Sequence, residues 1–430
     1  MSFTVRWLVS ATALALLSSG CGNGAKGSTA DMAVGSSDDM DNAESDLGGT
    51  DTDGATGSGD MSMDMKQAHP PLSFATPTTL MTTEAIPRKV WTGDFDANGK
   101  IDLLVQDGSI IASSTGGDVD ALAGVGDGSF AYQAGHAFTV AKGGYANVFD
   151  VNNDGKTDGV YYYTTTNPIS HMTSYFFGFA TSNGDGTFTG GSFSPAPTSF
   201  GKGLYVGDLN NDHAVEVFTV KTDNSSNPLG FSLFMNDGAN TMTRTDFVSP
   251  TYPVPTSDLI IRDLNGDGKA DVFYAAQNQA VLVTGDGTGT LSGTPTTFST
   301  GIGNNLSVAV ADLNADGKPD LIVGQTSAHV AVILSQATGG FLAPNDVTGV
   351  GDANFVDVGD FDGDGLPDLV TCDGDNLHFL VNLGNGFAAP TTIAQTCGSI
   401  AVADFNGDHL ADVATVAPAP SAAVLINSTH

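Results

Sequence analysis

Oxygen-bearing side chains recur at fixed spacing in seven nonapeptides: DFDANGKID from Asp94, DVNNDGKTD from Asp150, DLNNDHAVE from Asp208, DLNGDGKAD from Asp263, DLNADGKPD from Asp312, DFDGDGLPD from Asp360 and DFNGDHLAD from Asp404. Positions 1, 3 and 5 are Asp or Asn in every copy, and position 9 is Asp or Glu. Oxygen donors at alternate positions of a tight turn, a backbone carbonyl at position 7 and a closing carboxylate suit a hard cation the size of Ca²⁺. The expected ligands are Asp94, Asp96, Asn98, the Lys100 carbonyl and Asp102 in loop one, and Asp150, Asn152, Asp154, Lys156 and Asp158 in loop two. Loop three offers Asp208, Asn210, Asp212, Ala214 and Glu216, and loop four Asp263, Asn265, Asp267, Lys269 and Asp271. Asp312, Asn314, Asp316, Lys318 and Asp320 follow in loop five, then Asp360, Asp362, Asp364, Leu366 and Asp368 in loop six, and Asp404, Asn406, Asp408, Leu410 and Asp412 in loop seven. Up to seven Ca²⁺ ions are expected, with loop six the tightest because it alone carries four acids.

Position 6 is Gly five times and His twice, at His213 and His409. Wrapping successive ligands around one ion calls for a left-handed residue there, which Gly adopts freely and His tolerates better than most. The two histidines therefore have a steric reading rather than a catalytic one. Position 2 is always apolar and is expected to pin each loop to the core. An EF-hand is excluded, because it needs a bidentate Glu at position 12 and flanking helices, whereas β-type runs such as DLLV and DLIVG follow here.

The loops begin 44 to 58 residues apart, a period that points to a propeller or stacked array. Each lies between an incoming apolar run, such as FVDVGDFD, and an outgoing β-branched run; a third strand, a glycine turn and an aromatic-led fourth strand follow. Four short strands per repeat make a propeller blade. The fold class is therefore all-β, a seven-bladed β-propeller of four-stranded blades over residues 72–430 with a calcium loop in each. The last repeat lacks a fourth strand, while the octet from Leu72 parallels GFAAPTTI at 386–393. Residues 72–79 are thus expected to supply the outer strand of blade seven and close the ring.

These loops and strands resemble the FG-GAP/VCBS repeats of integrin α-subunits and many bacterial surface proteins. The resemblance implies that the loop joins the two innermost strands of a blade and binds Ca²⁺. It also implies a binding or adhesion scaffold, although lyases and lectins occur on the same fold, so that activity does not follow from fold.

Lys and Arg number 14 against 48 Asp and Glu, a formal charge of −34. Such a balance argues against nucleic acid and anionic lipid headgroups as partners, since both need clustered cations. The loops hold 22 of the acids and residues 22–71 hold ten, so the charge belongs to metal sites and a spacer rather than to a docking face. Residues 1–20 have a signal-peptide layout, and LSSGC resembles a lipoprotein signal that would lipidate Cys21; the alternative is an ordinary cleaved signal with Cys21 a stray thiol. Residues 21–71, acidic and free of aromatics, are expected to form a disordered tether. Met61, Met63, Met65 and His69 have soft-ligand spacing but read as part of that low-complexity spacer.

No nucleophile elbow, Walker loop, dinucleotide fingerprint or zincin motif occurs. A non-enzymatic ligand-binding or adhesion module, held at the bacterial cell envelope by a lipid anchor and meeting a protein or glycan partner, is the favoured reading. A carbohydrate-active enzyme or lectin on the same scaffold is the alternative, and a structural surface-layer component a third. The longest repeats are the first three, and their extra residues bring His136, Tyr145, Tyr163, Asn167 and His171 to the face opposite the calcium loops; the plain alternative is longer solvated loops. Cys372 and Cys397 fall near one rim, either as a disulfide or as two buried thiols.

Overall fold

The computed structural model describes residues 69–429 apart from 81–86, 108–116, 141–145, 153, 167–172, 197–202, 223–227, 237–241, 250, 258, 292–293, 302–303, 337–339 and 417–421. Its strands form seven antiparallel four-stranded sheets arranged as a propeller ring, so the expected seven blades are present. Blade one comprises Pro87–Gly93, Asp102–Asp107, Gly117–Gly124 and Phe130–Val140, in that order from the centre outward. Blades two to six repeat this meander, with inner strands Ala146–Phe149, Leu204–Gly207, Leu259–Arg262, Asn305–Ala311 and Phe355–Gly359.

Blade seven takes only three strands from its own repeat, Ser399–Ala403, Asp412–Val416 and Ala422–Leu425; its fourth is Thr78–Leu80 from the other end of the chain. The ring is closed as the sequence suggests, with a different boundary. Ladder pairing is confined to Thr78–Leu80, while the earlier part of the segment holds on through a Phe74–Asn427 bridge and through Ala75 N–H to the Ile426 carbonyl, 2.8 Å. Pro77, which has no N–H to donate, separates the two parts. Blade six repeats the arrangement at Phe387 and Thr391–Ile393, with Pro390 in the same place.

Alternating apolar residues put a hydrophobic surface on both faces of each sheet, and every face packs on a neighbour. One buried cluster fills each of the seven interfaces between adjacent blades. At the closure, Val90 and Leu103 of blade one meet Phe405 and Val424 of blade seven. Leu72 and Phe74 cover the cluster between blades six and seven, with the Phe74 ring tilted against that of Phe379, their centroids 4.4 Å apart. Cys372 and Cys397 form a disulfide across the same interface, their Cα atoms 6.1 Å apart.

Candidate metal centres

Each nonapeptide is the turn between the first and second strands of its blade, and one hydrogen-bond pattern runs through all seven. The position 1 carboxylate accepts the N–H of position 6 at 2.7–3.0 Å. Position 3 accepts the N–H of position 5 at 2.9–3.2 Å, and position 5 accepts that of position 7 at 2.7–3.0 Å. These bonds coil the backbone around its own side chains. The left-handed residue expected at position 6 is there, with φ of 67° at His213, 72° at His409 and 79–86° at the five glycines. Position 4 is left-handed as well, at Ala97, Asn211, Gly266, Ala315, Gly363 and Gly407. The small, Asn or Gly residues there carried that signal, which sequence reasoning missed.

Position 9 has a second role that the spacing did not reveal. Its acid is 0–3 % exposed in all seven loops and accepts the N–H of position 2 at 2.7–3.2 Å. In six loops its other oxygen accepts an N–H from the end of the third strand at 2.6–3.0 Å, from Gly124, Ser182, Gly285, Ser335, Asn382 or Asn427. The carboxylate therefore clamps the loop to two other parts of its blade. Position 2 is fully buried as expected, except that Val151 is half-buried.

Three of the same residues also join adjacent blades, through their side chains. Asn427 Nδ2 donates to the Phe361 carbonyl at 2.7 Å, Asn382 Nδ2 to that of Leu313 at 2.7 Å and Ser182 Oγ to that of Phe95 at 2.6 Å. Gly128 N–H donates to the Phe405 carbonyl at 3.1 Å, which links blade one to blade seven.

The residues present fit a hard divalent cation. Ligand oxygens of Asp94, Asp96 and Asp102 lie within 4.8 Å of one another, as do those of Asp360, Asp362 and Asp368. Glu216 is likewise wholly buried, bonded by the Leu209 N–H and drawn on by the Asn236 backbone at the end of the third strand. Burial, reinforced by acids at positions 1 and 3 or 5 and only partly offset by backbone donors, pushes Asp102, Asp158 and Asp271 up to about 6, Asp412 to about 7 and Glu216 and Asp368 to about 8. A cation at the centre would remove that repulsion and favour the charged forms.

The face opposite these loops is partly described. His136 lies in Phe130–Val140 paired with Asp120, and Tyr163 in Asp158–Thr166 paired with Phe176, both known here by their backbone alone. Tyr145, Asn167 and His171, like Cys21 and the leader and tether up to residue 68, lie outside the described residues.

FG-GAP-like repeats are matched at residues 263–323, 313–371 and 360–415, from loop four through the second strand of blade seven. No curated protein matches the sequence. Among solved structures, BBS1N in complex with ARL6DN is similar at 10 % identity and a TM-score of 0.52, covering 83 % of this chain and 96 % of its own. An Agrocybe aegerita lectin that recognises non-reducing terminal N-acetylglucosamine is similar at 16 % identity and a TM-score of 0.49, covering 80 % and 86 %. Bacillus licheniformis rhamnogalacturonan lyase PL11 is similar at 14 % identity and 0.45, covering 83 % and 74 %. At these identities the likeness is one of fold. With the repeat matched in blades four to seven and the same loop in all seven, the protein is a seven-bladed β-propeller that carries FG-GAP-like repeats.

Proposed function

We propose that this protein is a calcium-stabilised, non-enzymatic binding module that holds a protein or glycan ligand on the face opposite its metal loops. The observation that carries the reading is the extension of blades one to three on that face. In blade two the described pairing of the inner strand begins at Ala146 with Tyr161, whereas the next two strands continue as a hairpin to Thr166 and Thr173. In blade three, Leu229 and Val248 stand exposed at the same end of the sheet, on neighbouring strands. Loops mounted on a rigid scaffold are where binding residues gather. Lipidation at Cys21 and the acidic segment up to residue 71 would hold the module at the bacterial envelope and give it reach.

A glycan array and a protein pull-down, each run with Ca²⁺ and after EDTA, test the binding face. Capture that disappears when residues 167–172 are replaced by a short Gly-Ser turn supports it; turnover of a neutral polysaccharide would overturn the non-enzymatic reading. Cys21→Ser should move the protein from the membrane to the soluble fraction, and a wild-type protein already soluble would overturn the anchor.

A further inference from the structure

Loop six differs from loops one, two, three and seven in what stands between its third and fifth residues. In loops one, two, three and seven, an Asn amide at position 3 or 5 donates to the carboxylate at the other position, at 2.8–3.2 Å. Loop six has Asp362 and Asp364 at those positions and no amide to place between them. A residue 293 positions away in sequence fills that place: His69 Nδ1 hydrogen-bonds Asp362 Oδ2 and lies 3.7 Å from Asp364 Oδ2. The Asp362 side chain is wholly buried beneath it, and His69 itself is 19 % exposed.

The chemistry of the combined donor set is no longer that of a calcium loop. One imidazole nitrogen and two carboxylates, His69, Asp362 and Asp364, have ligand atoms within 4.8 Å of one another; Asp362 also belongs to the equally close group with Asp360 and Asp368. Ca²⁺ takes oxygen ligands, whereas an imidazole added to carboxylates suits Zn²⁺ and its neighbours in the first transition row.

The position of His69 adds a structural consequence. It directly precedes Pro70 and Pro71, which leave the backbone few conformations, and then the segment that closes the ring. Leu72 and Phe74 pack beside Phe361, position 2 of this same loop, and Thr78–Leu80 completes blade seven. An ion held by both His69 and loop six would fasten the closing segment to blade six.

We propose that His69, Asp362 and Asp364, with Asp360 and Asp368 behind them, form a mixed imidazole–carboxylate site for Zn²⁺ or a similar transition-metal ion, which latches the closing segment. The proposal rests on loop six being a cation loop, and the other six loops serve as its internal control. The full chain, stripped with EDTA and returned to millimolar Ca²⁺, is titrated with Co²⁺ as a coloured stand-in for Zn²⁺. One equivalent of Co²⁺ should bind with a visible d–d band and be displaced by Zn²⁺, and Zn²⁺ should raise the melting temperature beyond what Ca²⁺ achieves. His69→Ala, a change outside the core, should lose that equivalent and the Zn²⁺ increment while keeping the Ca²⁺ one; Asp364→Asn should weaken Co²⁺ binding in the same direction. Identical Co²⁺ binding by wild type and His69→Ala overturns the site, and so does no Co²⁺ binding at all. Calcium-dependent melting that persists in either case leaves the calcium reading standing, whereas its absence in wild type removes that reading too.

Discussion

Blades four to seven and blades one to three carry the same loop on differently built sheets. In blades four to seven the fourth strand is three or four residues long, preceded in each by an isolated bridge, as at Phe341 or Phe387. In blades one to three it runs for 7–11 residues, and the third strand for 8–10. The FG-GAP-like match stops at the boundary, covering the regular blades alone. The loop does not register this difference because within its blade its position 9 clamp reaches only to the end of the third strand, and its bonds to the next blade come from the end of that blade's third strand or the turn after it. The fourth strand takes no part in them. A blade can therefore lengthen outward, toward the face opposite these loops, at no cost to the loop.

The sharpest test concerns the join between the two kinds of blade. A chain starting at Leu72 should melt close to full length in saturating Ca²⁺, whereas one starting at Met81 should lose more than about 10 °C or aggregate. The longer cut removes Leu72 and Phe74 from their cluster and leaves Ala422–Leu425 as an unpaired edge. Equal melting of the two would show that blade seven stands without its borrowed strand.

If the loop is indifferent to its blade, Asp102→Ala in blade one and Asp368→Ala in blade six should cost the same, on the order of 2–5 kcal/mol, since each strips the acceptor from two buried amides. Replacing residues 167–172 should shift stability by less than about 0.5 kcal/mol. Denaturant unfolding measures all three, and a large gap between the two Asp variants would break the comparison.

Glycines separate ring contacts from loop shape. A Cβ on Gly128 would stand 2.5 Å from Ile426 in the neighbouring blade at a φ of +82°, so Gly128→Ala should cost about 2–3 kcal/mol. Gly365, at +86° with nothing within 4 Å, should cost only about 1 kcal/mol as Ala. A smaller effect is expected at Asp373 in blade six. Burial raises its carboxyl, but hydrogen bonds from His378 and Asn376 outweigh that and hold it down to about 2. The folded value lies below the unfolded one, so its contribution is present above about pH 4 and lost as pH falls toward 2. Asp373→Asn should cost under about 1 kcal/mol at pH 7, and the difference from wild type should shrink at pH 2.

The number of blades, the place of the loops and the borrowed strand were legible in the sequence because each depends on local repetition. Nine residues suffice to specify a loop whose hydrogen bonds span two to seven positions, and a missing fourth strand is visible as soon as the repeats are aligned. Left-handed geometry at position 6 was legible for the same reason, since Gly and His stand out there. Other features were decided by the ring. The position 9 acids bond to amides 14 to 24 residues further on, and Asn427 reaches Phe361 across 66. No spacing rule links these partners; they meet because the third strand returns to the loop and the next blade packs against it. His69 is the extreme case. Read along the chain it belonged to a methionine-rich spacer, and only the closing of the circle, which lays the first described residues over blade six, brings its imidazole to Asp362.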